Sequence, residues 1–332
     1  MVCGVNNLSY SERPGELDLA IATWLQSQSG AELRENAEKL TEAYRQGRSS
    51  ARIDLAAYLT ARMPATYAGV RRVLDEVANV ASDFMPRSLL DVGAGPGTAS
   101  WAALARWPEL KNITMVEADP RFADLAGELA KCSGISALEY SNISKSKMAE
   151  TSTKAELIIA AYVFAEIEER ASGEAALKLW ADCEHMLVII EPGTPRGFAR
   201  IRNARAALLA AGANVVGPCT HAGTCPMAGP HGGKDWCHFT QRLQRSREHM
   251  HAKAASLPFE DEPFSWVAVS RQRYDLAAGR IVGPPVTTKI STSAKLCSAD
   301  GIIVQQIASR DKAAYKRAKK WAWGDAITAM DT

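Results

Sequence analysis

The chain has 332 residues, 47% hydrophobic and 23% charged, which suits a full hydrophobic core and excludes extended disorder. No apolar run approaches the roughly 20 residues of a membrane-spanning helix, and Met1–Ser9 lacks the basic start and apolar centre of a signal peptide. Net charge is only +2, yet residues 1–195 hold 19 Lys/Arg against 27 Asp/Glu while residues 196–332 hold 20 against 10. An acidic half joined to a basic half predicts a polyanionic partner, nucleic acid above all.

Residues 1–84 read as a helical region. Leu17, Leu19, Ala20, Ile21, Trp24 and Leu25 make one apolar stripe, and Leu33, Ala37, Leu40 and Tyr44 make another at helical spacing. Helices over Arg52–Met63 and Ala65–Ala81 follow, divided at Pro64, a residue that starts helices but does not continue them. Their Tyr58, Arg62, Tyr67, Arg71 and Arg72 are either packing and surface or the wall of a substrate site.

The next stretch organises the chain. Ser88–Val92 is a short apolar run carrying one acid, Asp91; it breaks into Gly93, Gly95 and Gly97, then turns Ala-rich and helical from Thr98 to Trp107. Glycines let a backbone turn sharply and admit a ligand where a Cβ would block it. Strand, glycine turn and helix open a nucleotide-binding α/β domain. A dinucleotide fingerprint G-x-G-x-x-G would need its third glycine at position 98, where Thr98 stands. The pattern D-x-G-x-G-x-G resembles instead motif I of the class I S-adenosylmethionine-dependent methyltransferases. That resemblance implies a loop wrapped around the methionine part of the cofactor and an acid on its ribose. Asn112–Asp119 is strand-like and places Glu117 20 residues past Gly97. A carboxylate accepts both protons of a ribose diol.

A helix over Arg121–Lys131, a weak strand at Ala137–Tyr140, a strong one at Leu157–Val163, a helix over Ala171–Cys183 and a strand at Met186–Ile190 come next. Apolar strands separated by helices predict a parallel sheet covered on both faces. Ligands bind such sheets at the carboxyl ends of the strands, so Tyr162–Phe164 and Glu191-Pro-Gly-Thr194 face the cleft. The expected cofactor set is Asp91, Gly93, Gly95, Gly97, Glu117 and Tyr162. The Asn/Asp-Pro-Pro-aromatic motif of amino methyltransferases is replaced by Ala160-Ala-Tyr-Val-Phe164, and no cysteine stands there as a cytosine-C5 nucleophile. No catalytic residue is assigned.

An arginine-rich helix over Gly197–Ala211 leads to Cys219, Cys225 and Cys237, set within nineteen residues of Gly, Pro and His that have no core periodicity. Such a loop in a cytosolic protein reads as metal-binding rather than disulfide-bonded. The spacing C-x5-C then x11-C departs from the C-x2-4-C pairs of structural zinc. Four thiolates hold an iron–sulfur cluster, and Cys297 is a distant fourth. Zinc completed by His221, His231 or His238 is the alternative, and unliganded thiols a third. A radical S-adenosylmethionine enzyme fits poorly, because its C-x3-C-x2-C spacing is absent. Strands at Ser265–Ser270, Arg280–Val282, Val286–Ser291 and Ile302–Ile307, then a basic helix over Lys312–Trp321, complete a small β-rich lobe. Arg200, Arg202, Arg205, Arg242 and Arg245 are the expected RNA phosphate contacts, joined by the cations and aromatics of Tyr315–Asp325.

Taken together, Met63-Pro-Ala-Thr-Tyr67, Asp91–Gly97, Glu191-Pro-Gly-Thr194, the cysteine loop with Asp235-Trp-Cys-His-Phe239, Cys297 and Trp323-Gly-Asp325 resemble the methyltransferase-like small-subunit ribosome assembly proteins of mitochondria and some bacteria. The resemblance covers most of the chain. It implies a Rossmann-like class I methyltransferase fold that binds S-adenosylmethionine, and a 4Fe-4S cluster on Cys219, Cys225, Cys237 and Cys297. It also implies binding to small-subunit rRNA in the ribosomal small-subunit precursor. The expected divisions are a helical region (1–84), a cofactor-binding core (85–195) and a basic cysteine-containing lobe (196–332). The lack of a leader points to a bacterial member in the cytoplasm, away from membranes and monomeric. An active rRNA methyltransferase, and a zinc-containing methyltransferase on a non-ribosomal substrate, are the competing expectations.

Overall fold

The computed structural model describes residues 13–26, 54–133, 143–144, 153–227, 235–246, 249–250 and 256–328. The stripe Leu33–Tyr44, the weak strand Ala137–Tyr140 and His231 lie outside the described residues. Strands β1 (Ser88–Val92), β2 (Asn112–Val116), β3 (Ile143–Ser144), β4 (Ala155–Ala161) and β5 (Cys183–Pro192) lie parallel in the order β3-β2-β1-β4-β5. Strands β6 (Asn214–Gly217), β7 (Phe239–Gln244) and β8 (Phe259–Ser270) complete the eight-stranded sheet. Strand β8 returns antiparallel to β5, and β6 and β7 pair with its far edge. This is a Rossmann-like, doubly wound sheet, closed at one end by antiparallel strands.

Period-two alternation along the strands fills both faces. Leu89, Ile113, Leu157, Ile159 and Val188 point to one face. There they meet α1 (Gly15–Gln26), α2 (Met63–Val80), α3 (Thr98–Arg106) and α4 (Pro120–Ser133) through Leu17, Leu74, Trp101 and Leu125. Leu90, Val92, Ile158 and Ile189 point to the other face. Helices α5 (Ser172–Asp182) and α6 (Pro195–Ala210) cover it with Leu179, Ile201 and Leu208.

The strand at Ser265–Ser270, expected in the C-terminal lobe, is part of β8 in the main sheet. Its buried run of Phe264, Trp266, Val267, Ala268 and Val269 has apolar side chains on both faces, so it needs cover on both. The expected division at residue 195 therefore runs through the main sheet, between β5 and the strands that extend it. The lobe proper is a second sheet of β9 (Gly279–Ile281), β10 (Val286–Thr287), β11 (Ser291–Ser298), β12 (Gly301–Ala308) and β13 (Ala326–Ile327). Its own core is small, built on Ile281, Ala294, Leu296 and Ile327. Helix α7 (Lys312–Ala318) lies against β11 and β12. No helix among the described residues is long and apolar enough to cross a membrane.

Ile159 is fully buried between β1 and β5. Removing its side chain leaves a cavity at the sheet centre, so Ile159→Ala is expected to lose about 2–5 kcal/mol of stability, read from the urea midpoint.

Candidate functional sites

Strand order reverses between β1 and β4, which opens a crevice at their carboxyl ends. The chain leaves β1 through Gly93 (φ 69°), Gly95 (φ 56°) and Gly97 (φ 84°), all in the left-handed region that glycine adopts without strain. A Cβ on Gly93 would lie 2.4 Å from Val163 Cγ2, so the glycine turn and the loop after β4 pack without room for any side chain there. Glu117, just past β2, accepts from Gly95 N through Oε2 (2.7 Å) and from Asp119 N through Oε1 (2.8 Å). Each carboxylate oxygen keeps a second lone pair for a hydroxyl donor.

Asp91 is only 1% exposed, and its Oδ2 accepts from Ser100 N (2.9 Å) and Ser100 Oγ (2.7 Å). It braces the first turn of α3 against β1, and burial pushes its pKa up to about 6. Tyr162 ends β4 at φ 62°, the single non-glycine with positive φ among the described residues. Its hydroxyl donates to Glu262 Oε1 (3.2 Å) on β8, and Arg62 lies 4.9 Å over its ring while pairing with Glu262 at 2.9 Å. Strained backbone held by such a network is common where a site is preorganised.

Tyr58 and Arg62 sit on a π-helical turn, Tyr58–Arg62, a geometry that recurs at functional sites. The Tyr58 ring packs edge-on against Phe122 (4.9 Å), with its hydroxyl 3.7 Å from where a Cβ on Gly95 would sit. Tyr58 and Arg62 thus wall the crevice, whereas Arg71 and Arg72 make i,i+4 pairs with Asp75 and Glu76. Sequence reasoning missed Glu262. It lies 100 residues from Tyr162 and carries no motif.

Glu191, on β5, is fully buried. Its Oε1 accepts from Phe164 N (2.9 Å) and its Oε2 has no partner among the described residues. Burial pushes its pKa up to about 8, against the lowering effect of Arg200 and the Phe164 and Ala165 amides. The carboxyl is therefore mainly protonated at neutral pH and pins the loop after β4. Thr194 caps α6 by accepting from Gly197 N (3.1 Å).

A second site lies between the main sheet and the lobe. Cys219 follows β6, Cys225 lies in the succeeding loop, Cys237 precedes β7 and Cys297 is on β11. All four line one cavity of about 30 Å³, together with apolar Phe198, Met227 and Trp266 and the guanidinium-bearing Arg205 and Arg280. Burial pushes the Cys219 and Cys237 thiols up and takes Cys297 to about 11, and neighbouring thiols add to burial at Cys237 and Cys297. His221 Nε2 stands 3.9 Å from Cys297 Sγ. His238 is engaged elsewhere: its ring stacks on Trp236 (5.0 Å) and meets Trp323 edge-on (4.7 Å).

Among the described residues, no three His, Cys, Asp or Glu side chains are gathered closely enough for one metal ion. A single zinc with Zn–S of about 2.3 Å needs its sulfurs about 3.8 Å apart. A four-iron cluster gives each thiolate its own iron and so spreads the sulfurs wider. Four thiols on an apolar lining are a donor set that fits such a cluster.

The arginines expected on RNA are occupied within the protein. Arg205 is 6% exposed and donates to His221 O (2.7 Å) and Gly223 O (2.9 Å), so it is buried away from any phosphate at the surface. Arg200 donates to Ile167 O (3.1 Å), Arg242 makes a two-pronged pair with Asp261 (2.8 Å each), and Arg245 pairs with Glu260 (3.2 Å). Half-buried Arg202 lies at the thiol cavity. By contrast, Lys312, Lys316, Arg317, Lys319 and Lys320, on and just after α7, are exposed and make no ion pair among the described residues.

Residues 52–328 match the family described as mitochondrial small ribosomal subunit Rsm22. The ribosome assembly protein METTL17, mitochondrial, of Homo sapiens is 25% identical over 294 residues, covering 82% of this chain and 62% of that protein. The Rsm22-cox11 tandem protein 2, mitochondrial, of Schizosaccharomyces pombe is 26% identical over 325 residues, covering 81% of this chain and 42% of that protein. The chain thus spans less than two thirds of the length of these relatives. Among solved structures, the magnesium protoporphyrin IX methyltransferase of Synechocystis PCC 6803 with bound SAM is 10% identical, with a TM-score of 0.41 over 74% of this chain and 100% of that one. The ribosomal protein L11 methylase of Lactobacillus delbrueckii subsp. bulgaricus is 14% identical, with a TM-score of 0.34 over 62% and 76%. The expectation of a bacterial cytoplasmic protein is overturned by the family description and by both curated relatives, which are mitochondrial. That expectation rested on a missing leader, and where a chain begins does not decide its compartment.

Glu191 gives a pH test. Its folded pKa, about 8, lies above the ordinary value of 4.5, so the folded state binds the extra proton and stability falls as pH rises between the two. Glu191→Gln removes that loss. The variant is expected to match the parent near pH 4.5 and to melt a few degrees higher at pH 9 in a thermal scan.

Proposed function

The chain belongs to the mitochondrial small ribosomal subunit Rsm22 family, and on that premise we propose that it is an assembly factor of the small ribosomal subunit. In this reading it binds S-adenosylmethionine, carries a 4Fe-4S cluster and holds small-subunit rRNA. The observation that carries the reading is the meeting of Cys219, Cys225 and Cys237, from the β6–β7 connection, with Cys297, from the second sheet, at one cavity. Their thiolates would hold the four irons. The glycine turn would admit the methionine end of the cofactor, with Glu117 on the ribose hydroxyls and Tyr58 and Arg62 as the opposite wall. S-Adenosylmethionine supplies an electrophilic methyl group when bound. Tyr162, at the strand end where a target base would be held, already donates its hydroxyl to Glu262. That favours a binding role for the cleft over methyl transfer.

The cations of α7 and its following turn are the better candidates for rRNA phosphates, because they are exposed and uncommitted. Tyr315 stands among them, with Lys319 Nζ 5.7 Å over its ring. Replacing Lys316, Lys319 and Lys320 together by Gln is expected to weaken binding of small-subunit rRNA. The slope of log affinity against log salt should fall by about 0.7–0.9 per lost contact. Arg242→Gln is expected to change neither, since that guanidinium is paired with Asp261. Equal affinity and slope in the triple variant would remove α7 from the interface.

Protein purified without oxygen is expected to be brown and to contain about four irons and four sulfides per chain. Cys225→Ser should lose both. A colourless protein with one zinc would replace the cluster by a zinc site.

A further inference from the structure

Buried charges are paired or hydrogen-bonded to an opposite charge, since an isolated one is strongly disfavoured in a low-dielectric interior. Two guanidiniums flank the thiol cavity, and they differ in this respect. Arg280, 4% exposed, has a carboxylate: its Nη1 reaches Glu76 Oε2 (2.9 Å), while Nε donates to Pro218 O (2.9 Å). Arg205, 6% exposed, reaches the carbonyls of His221 and Gly223 and lies within hydrogen-bonding reach of the Cys219 thiol, and its Nε is buried with no hydrogen-bond partner. Arg205 pairs with no carboxylate among the described residues. Guanidinium stays protonated under all ordinary conditions. The side chains beside it that can become anionic are the four cysteines lining the same cavity.

We infer that Arg205 is the counter-cation of the thiol site, a positioning residue that offsets the negative charge of a metal–thiolate centre and fixes the loop that carries two of its ligands. This rests on the reading of the cavity as a cluster site. The geometry serves both roles. The carbonyls gripped by Arg205, those of His221 and Gly223, lie between Cys219 and Cys225, so one guanidinium sets the spacing of two thiolates. Arg280 holds Pro218 O just before Cys219 and stands directly across from Cys297 in the β9–β11 register. The loop is thus anchored from α6 on one side and β9 on the other, and the anchor from α6 is the one with unbalanced charge. Outer-shell groups of this kind commonly change metal affinity 10–100-fold when lost.

The test compares anaerobically purified wild type, Arg205→Gln and Arg205→Lys by iron and sulfide content, reduction potential and half-life of the visible band under a chelator. Loss of the positive charge in Arg205→Gln is expected to move the potential to more negative values and to shorten the half-life at least tenfold. Arg205→Lys keeps the charge but not the fork, so its potential should stay at the wild-type value while its half-life shortens. A Gln variant with wild-type potential and half-life overturns the inference while leaving the cluster standing. If the Gln variant does not fold, the Lys variant decides: a shifted potential or an unchanged half-life overturns it. Wild-type protein without iron, whether or not it holds zinc, would overturn the cluster reading itself, and this inference with it.

Discussion

The seam between the main sheet and the C-terminal lobe is the constraint on which the rest depends. Four thiols reach one cavity only if the β6 edge, the start of β7 and the end of β11 are held in one place. Little apolar surface does this, because the lobe core is a handful of side chains around Ile281 and Leu296. The work falls to polar contacts across the seam. Across it Arg280 reaches Pro218 and Glu76, and Thr220 donates to Cys297 O; on the main-sheet side Trp236 donates to Gly193 O and Ser265 to Cys237 O. A centre bound by all four thiols would tie these segments covalently where burial alone is thin.

The crevice at the ends of β1 and β4 is built differently. It sits within the parallel half of the sheet, where Leu89, Leu157, Ile159 and Val188 are fully or nearly fully buried. There the glycine turn gives access, Glu117 grips the turn through two backbone amides, and Asp91 fixes the helix that follows. The helical region contributes a wall, Tyr58 and Arg62, rather than a separate domain. One chain therefore places the crevice at the carboxyl ends of the parallel strands and gathers the four thiols where the main sheet meets the second.

Much of this was legible in the sequence, for identifiable reasons. A glycine turn after an apolar strand has few structural solutions, so the strand, turn and helix around Gly93, Gly95 and Gly97 were legible from spacing, while Glu117 was singled out by resemblance to motif I. Cysteines clustered in a Gly- and Pro-rich loop stand out against a core pattern, and Cys297 joined them by resemblance. Counting charge does not reveal pairing: the partners of Arg242 and Arg245, Asp261 and Glu260, lie 15 to 19 residues away, and the carbonyls taken by Arg205 belong to the cysteine loop. Strand β8 was assigned to the lobe because chain order suggested it, although its apolar run is covered on both faces in the main sheet. Glu191 was placed at the cleft because it follows a strand of the parallel sheet, but its burial and raised pKa depend on the elements that meet around it.

The central claim is that the four cysteines form one metal-dependent joint between sheet and lobe. Hydrogen exchange, compared before and after removal of metal with chelator and reductant, tests it most directly. The account predicts that protection falls in the segments around Cys219, Cys225 and Cys237 and in β9 and β11, while β1, β4 and β5 exchange as before. Unchanged exchange in those segments, or an equal rise throughout the chain, would contradict it.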